Sequence, residues 1–212
     1  MLALFISAFV TLFVVIDPPG VAPIFASLTN GTSTRHRRAM AWRSVTLAGG
    51  ILLFFALLGE ALLGALGVSL DAFRIAGGIM VFLIAIDMVF EKRTQRRESR
   101  AEEVAKGAEA GLEAEDISVF PMAIPMIAGP GSIAAVMLLT SRSTGWQDTA
   151  VLGAALGANL LLTLGSLLAA APLMKFMGRK TEAMITRLLG VILAALAAQF
   201  IIDGIRSAFG LA

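Results

Sequence analysis

The sequence predicts an all-α membrane protein: six transmembrane helices arranged as two inverted three-helix repeats, with helices 1 and 4 broken. Three observations carry this expectation. The first is composition. Of 212 residues, 58% are hydrophobic and 15% charged, with a mean hydropathy of +0.86, against about 45–50% apolar and about 25% charged in a soluble domain. The second is where the charge lies. Residues 91–117 hold fourteen of the thirty-two Asp, Glu, Lys and Arg side chains, so the other 185 residues carry eighteen. A chain that poor in charge does not present a wetted surface, and at about 30 residues per helix with its connection it has room for six spans. The third is a short internal repeat, Arg74-Ile75-Ala76-Gly77-Gly78-Ile79 against Arg187-Leu188-Leu189-Gly190-Val191-Ile192, and Pro19-Gly20 against Pro130-Gly131.

Two absences narrow the chemistry. There is no cysteine, which removes thiolate metal sites, disulfides and cysteine nucleophiles. The single histidine, His36, sits in an arginine-rich loop, so neither a histidine metal centre nor a Ser-His-Asp triad can be built in the membrane. No metal, cofactor, catalytic residue or nucleic-acid partner is expected.

The apolar runs place the spans at 2–28, 40–66, 71–90, 117–140, 149–171 and 185–208. The first starts without a basic segment and reads as a retained helix rather than a signal peptide. Connections 1–2, 3–4 and 5–6 carry fourteen Lys and Arg, the opposite side only Arg74, Arg142 and Arg206. By the positive-inside rule both termini face away from the cytoplasm. The charged window, basic then acidic, reads as a solvated cytoplasmic linker at 91–116 between repeat one (1–90) and repeat two (117–212), all within one transmembrane domain. Three spans per half is an odd number, so the second half enters the membrane inverted.

Six of the seven prolines lie in two segments, Asp17-Pro18-Pro19-Gly20-Val21-Ala22-Pro23 and Pro121 to Ser132. Each proline removes an N–H and clashes with the preceding turn, so neither segment is a straight helix. The run 2–16 would reach only about 22 Å, short of a hydrocarbon core of about 30 Å, and span 1 therefore needs both sides of its break to cross. Broken helices in a bilayer expose N–H groups that attract anions and carbonyls that attract cations, and a zwitterionic amino acid suits that pair of ends. A proline kink that only shapes packing is the alternative. The candidate substrate-binding residues are Asp17, Pro18, Pro19, Gly20, Ala128, Gly129, Gly131 and Ser132.

Asp-Pro-x-Gly-x-x-Pro-Ile-Phe from Asp17, Arg74-Ile75-Ala76-Gly77-Gly78-Ile79, Pro-x-Ala-Ile-Pro-x-x-Ala-Gly-Pro-Gly-Ser-Ile from Pro121, and Gln199-Phe200-Ile201-Ile202-Asp203-Gly204-Ile205 together resemble the MarC family. Its members are six-span inner-membrane proteins of bacteria and archaea, grouped with neutral amino acid transporters and the lysine-exporter-like clan. The resemblance covers essentially the whole chain outside 91–117. It implies a secondary transporter of glycine, alanine and similar neutral amino acids. Val21 and Asp203 stand where asparagine is frequent in the family, which bears on substrate range.

The remaining polar residues within spans each have two readings. Asp17 is an ammonium or proton site, or the N-cap of the helix starting at Pro18. Glu60 is a second ion-coupling carboxylate or an interfacial residue, and Asp87 is interfacial. Asp203 and Arg206, three apart, are expected to pair on one helix face. Asn159, Thr163 and Ser166 form one stripe on span 5 that lines a pathway or bonds neighbouring helices. Gly153 and Gly157 are expected in close helix packing, and Gln199 is a candidate cavity residue. A transporter of small neutral amino acids, with protons as a further partner, is the leading reading. A non-transporting scaffold or regulator and an exporter of another small solute are the alternatives. Aspartyl intramembrane proteolysis is disfavoured because Ile16 and Ile86 stand where that chemistry has glycine.

Overall fold

In a computed structural model, residues 1–90 and 116–211 are described, with the side chains at 171 and 173–182 set aside. The linker expected at 91–116 therefore lies outside the described residues except for Asp116. Every regular element described is helical, and no strand occurs among the described residues. In chain order they are α1 (Leu2–Ile16), α2 (Pro18–Leu28), α3 (Thr34–Ala65), α4 (Leu70–Val89), α5 (Ser118–Ile127), α6 (Pro130–Thr140), α7 (Trp146–Leu168) and α8 (Ala170–Ala208). Five stretches are long and apolar enough to cross a membrane: Leu2–Leu28, Thr34–Ala65, Leu70–Val89, Trp146–Leu168 and Ala183–Ala208. The pair α5 and α6, bent by 52° at the junction, makes a sixth if counted as one span.

Local chemistry explains the boundaries. α3 starts six residues before the apolar run because the Ser33 hydroxyl caps it, accepting the His36 N–H at 3.2 Å. His36 is thus in the first turn of a helix rather than in a loop. Ser69 caps α4 in the same way through the Ala72 N–H. α5 is not a regular α-helix. Phe120 and Ile124 precede prolines, which disfavour helical backbone, and both are extended, at φ −126° and −125°. The turns widen in compensation, with N–H to carbonyl bonds from Met122 to Ile117 and from Ala128 to Ala123, five residues back.

Packing runs mainly between the two halves of the chain. α1 and α2 lie on α7 and α8, α5 and α6 lie on α3 and α4, and the most extensive contact joins α4 to α8. α4 and α8 are antiparallel, with Gly204 against Arg74 and Ile75, Gly78 against Ala197 and Ile201, and Gly190 against Ala85 and Met88. Small residues let the backbones approach, which is how apolar helices associate without a hydrophobic drive between them. A Cβ on Gly78 would meet Ile201 Cγ1 at 2.7 Å and the Ala197 carbonyl oxygen at 3.1 Å. Gly78→Leu is therefore expected to cost about 1–3 kcal/mol. Thermal unfolding in detergent checks this, with Gly50→Leu, where a Cβ meets nothing within 4 Å, expected to behave as the parent.

The core is apolar and sits between the halves, with Leu12, Ile16, Phe25, Leu52, Met88, Met122, Ile127, Leu138 and Leu193 all buried. The outside is apolar as well: Leu53, Phe54, Leu57, Leu83, Leu161, Leu188 and Val191 are all at least half exposed. An apolar belt of that extent needs lipid around it. Trp42, at the start of α3, and Trp146, at the start of α7, are exposed and suit interfacial anchoring.

Each end of the bundle is tied. Arg43 of α3 pairs with Asp116 at 2.6 Å, and the other Asp116 oxygen accepts the Ser118 N–H at the start of α5. Burial pushes the Asp116 pKa up, but its hydrogen bonds to Ser118 and the Arg43 charge outweigh that and hold it below the usual value. At the other end Arg74 donates to the Ser141 carbonyl at 3.0 Å and pairs with Asp71 at 3.3 Å.

Candidate functional site

The chain is interrupted between α1 and α2 at one residue. Asp17 takes left-handed backbone, φ 58° and ψ 62°, a conformation asparagine and aspartate tolerate better than other non-glycine residues. Its N–H still bonds to the Phe13 carbonyl, closing α1, and its side chain accepts the Gly20 N–H at 3.2 Å, opening α2. Pro18 follows at the first helical position, where its missing N–H has no intrahelical partner to lose. The N-cap alternative for Asp17 is thus realised, and the residue is 2% exposed. The capping geometry depends on Gly20, because a Cβ there would lie 2.2 Å from Asp17 Oδ2.

A second junction separates α5 from α6, bent by 52°. Gly129 is the extended residue before α6, and Pro130 occupies the first helical position. α2 and α6 have eleven residues each. Their starts, Pro18 and Pro130, are 112 positions apart, one more than the Pro19-Gly20 to Pro130-Gly131 match. The interruptions are neighbours in space, since a Cβ on Gly131 would lie 2.1 Å from Ile84 Cδ1 of α4 and 3.6 Å from Val15 Cγ1. Val15, two residues before Asp17, thus packs near Gly131, and Asp17, Ala128 and Ser132 are all buried.

Asn159 and Thr163 of α7 are fully buried. The Asn159 amide donates to the Phe9 carbonyl of α1 at 3.2 Å and to Ala155 in its own helix at 2.9 Å, which leaves its Oδ1 buried without a partner. A buried unpaired carbonyl is uncommon and costs about 1–3 kcal/mol. Thr163 returns its hydroxyl to the Asn159 carbonyl at 2.8 Å, and Ser166 is half-buried. Asn159 bonds across to α1 through the Phe9 carbonyl.

Gln199 goes elsewhere. It is exposed, and its amide donates to Asp203 at 2.6 Å. Asp203 also pairs with Arg142 from the α6–α7 connection, and the Arg142 guanidinium lies 4.6 Å from the centre of the Phe200 ring. The expected Asp203–Arg206 pair is not formed, because Arg142 reaches the carboxylate from across the bundle while Arg206 turns to the Leu211 carbonyl. Burial lowers the Arg142 pKa and Asp203 opposes it. Arg142→Ala should lower stability by about 1 kcal/mol, the scale of a part-exposed pair with a cation–π contact. Chemical or thermal unfolding in detergent reads that directly, and Arg206→Ala should leave the midpoint unchanged.

Gly153 and Gly157 face open space, with no atom within 4 Å of a Cβ built on either. The expectation that they pack closely is not met within this chain, since the α7 face in contact carries Leu152, Ala155, Leu156 and Asn159 instead.

Glu60 is exposed and lines a cavity of about 450 Å³ between α3, the start of α4 and the α6–α7 connection. Sequence reading missed the remainder of that lining, a run of hydroxyls at Thr140, Ser141, Ser143, Thr144 and Thr149. Their clustering at the end of an apolar span was the available signal. Among the described residues no group of three or more metal-ligating side chains occurs.

The MarC family of integral membrane proteins matches residues 2–209. The chain belongs to the MarC family. Among curated MarC relatives it is 39% identical to the UPF0056 membrane protein MJ1677 of Methanocaldococcus jannaschii over 204 residues, covering 96% of this chain and 97% of that one. It is 35% identical to the UPF0056 inner membrane protein YhgN of Escherichia coli K12 over 206 residues, 95% of each. It is 33% identical to the UPF0056 membrane protein YvbG of Bacillus subtilis over 209 residues, 99% and 97%. No solved structure matches. This MarC chain is an integral membrane protein.

Proposed function

We propose that this MarC protein is a secondary transporter of small neutral amino acids, glycine and alanine first, acting by alternating access around two broken helices. The observation that carries the reading is the pair α2 and α6. Each starts at a proline part-way along an apolar stretch, and Val15 at the end of α1 packs near Gly131 at the start of α6. Helix N-termini at that depth favour a carboxylate, while the carbonyls freed at the ends of α1 and α5 and the Asp17 carboxyl favour an ammonium. Ala128, Gly129, Gly131 and Ser132 keep the chain small at this turn, where a Cβ on Gly131 would meet Ile84 Cδ1 at 2.1 Å. Asn159 Oδ1 is an additional buried acceptor beside α1.

Inverted repeats are the second part of the reading. Packing supports it, because α1–α2 relates to α7 and α8 as α5–α6 relates to α3 and α4. The α4–α8 seam adds to this. The 113-residue offset carries Gly77 to Gly190 and Met88 to Ile201; Gly190 meets Met88, and Ile201 is met by Gly78, one residue on from the equivalent position. We place the protein in the inner membrane, as the name of the Escherichia coli relative says of that protein, with both termini non-cytoplasmic on the Lys and Arg asymmetry. Its partners are the bilayer, the amino acid and, through Asp17 or Glu60, protons; no cofactor, enzyme activity or nucleic acid enters.

Reconstituted protein should accumulate labelled glycine or alanine when a proton gradient is imposed. Absence of uptake for every neutral amino acid would overturn the reading. A non-transporting scaffold predicts instead that Gly131→Leu and Pro19→Ala leave activity untouched once folding is confirmed.

A further inference from the structure

We propose that the cavity between α3, α4 and the α6–α7 connection is a binding site for the primary ammonium group of a small ligand, with Glu60 as its counter-charge. The inference rests on the transport reading only for its biological meaning: the cavity would be the first station of the amino acid before the α2–α6 junction.

The hydrogen-bond inventory decides the sign of the ligand. Every hydroxyl hydrogen in the lining is already spent inside the protein. Thr140 donates to the Val136 and Met137 carbonyls, Ser141 to Leu138, and Thr144 to Asp148. Ser143 and Thr149 bond to each other and to the Gly145 carbonyl. What these side chains still offer the cavity is oxygen lone pairs. Glu60 adds the one negative charge of the lining and forms no ion pair among the described residues. Hydroxyls that offer only acceptors, beside a carboxylate with no ion pair among the described residues, favour a positively charged donor.

Two neighbouring charges do not reverse this. Arg74, which reaches Ser141, is paired with Asp71. Asp148 sits in the first turn of α7 and meets the electropositive end of that helix. The size of the space excludes a bare ion held by a close cage, because about 450 Å³ is the scale of a small-molecule site. Leu57, Leu70 and Phe73 supply an apolar wall for the body of the ligand, and the Phe73 ring adds a face that attracts an ammonium. Below it, an apolar crevice of about 50 Å³ shares Ala56, Leu57, Thr140 and Thr149 and continues to Leu12 of α1.

An ammonium can come from a free amino acid or from a phosphatidylethanolamine headgroup at the same membrane depth. Calorimetry on the whole protein in nanodiscs of phosphatidylcholine and phosphatidylglycerol tests the chemistry with glycine, propylammonium and propionate. Glycine and propylammonium should bind and propionate should not. Glu60→Gln should weaken propylammonium at least about tenfold, about 1.4 kcal/mol, and Glu60→Asp should restore part of it. Adding phosphatidylethanolamine to the discs assigns the source: competition with propylammonium identifies the headgroup, and unchanged affinity identifies the soluble ligand. Binding of propionate as tight as that of propylammonium, no binding of either, or full affinity in Glu60→Gln overturns the proposal. Amino acid uptake by the same proteins separates it from the transport reading. Glu60-dependent ammonium binding without uptake upholds the cavity and defeats transport, whereas uptake without Glu60-dependent binding does the reverse.

Discussion

Gly129→Ala should prevent the α5–α6 span from assembling, the largest effect expected of any single methyl group added to the chain. A Cβ at Gly129 would lie 2.3 Å from the Pro125 carbonyl oxygen and 3.4 Å from its carbon. That oxygen is backbone and cannot swing aside as a side chain would. Relaxation is further blocked because Pro125 and Pro130 fix φ on both sides of the turn. The cost should reach or exceed the upper end of ordinary overpacking, about 3 kcal/mol. Size-exclusion chromatography in detergent should show loss of the folded monodisperse species. Gly145→Ala is the matched control, since its backbone is extended and a Cβ meets nothing within 4 Å; it should elute as the parent.

Asp17 carries the second large effect, and there the two roles of the residue can be separated. It is buried, it takes left-handed backbone, and it caps α2 through the Gly20 N–H. Asp17→Asn keeps an acceptor for the cap and a residue type that tolerates the conformation, and removes only the ionisable carboxyl. Asp17→Gly removes the side chain while easing the backbone. Both should fold, with Asp17→Gly less stable by no more than about 1 kcal/mol, because a capping residue loses little when replaced by glycine. If the carboxyl receives the ammonium or a proton, both should lose amino acid uptake by at least about tenfold, about 1.4 kcal/mol of barrier. Uptake at the parental rate in Asp17→Asn would reduce Asp17 to a structural cap.

The fold was legible where the physics is one-dimensional. Span positions follow from how many apolar residues cross a bilayer, and the observed helices lie on the predicted runs. Asp17 as cap and Pro18 as first helical residue followed from local rules. Apart from His36, which the local Ser33 cap draws into α3, the misses turn on geometry beyond the sequence pattern. Prolines 121 and 125 announced an interruption, but not the five-residue bonds that replace the regular ladder. Spacing put Asp203 beside Arg206, yet Arg142, 61 residues away, takes the carboxylate. Gly153 and Gly157 had the spacing of a packing motif but no partner helix within the chain. The Glu60 cavity was invisible because its hydroxyls come from the end of α6, the connection and the start of α7, and only folding sets them across from α3. Of the candidate residues, Asn159 and Thr163 are buried on α7, and Gln199 is exposed and bonded to Asp203.

Entrance counterflow tests the central claim most directly, because it needs neither the coupling ion nor the direction of physiological transport. Vesicles loaded with unlabelled alanine and diluted into trace labelled alanine should show a transient overshoot of label above equilibrium. The overshoot should be present with the parent protein and absent with Asp17→Asn. A parent protein that only lets label leak to equilibrium, without overshoot for alanine, glycine or any other neutral amino acid, would contradict alternating access around α2 and α6.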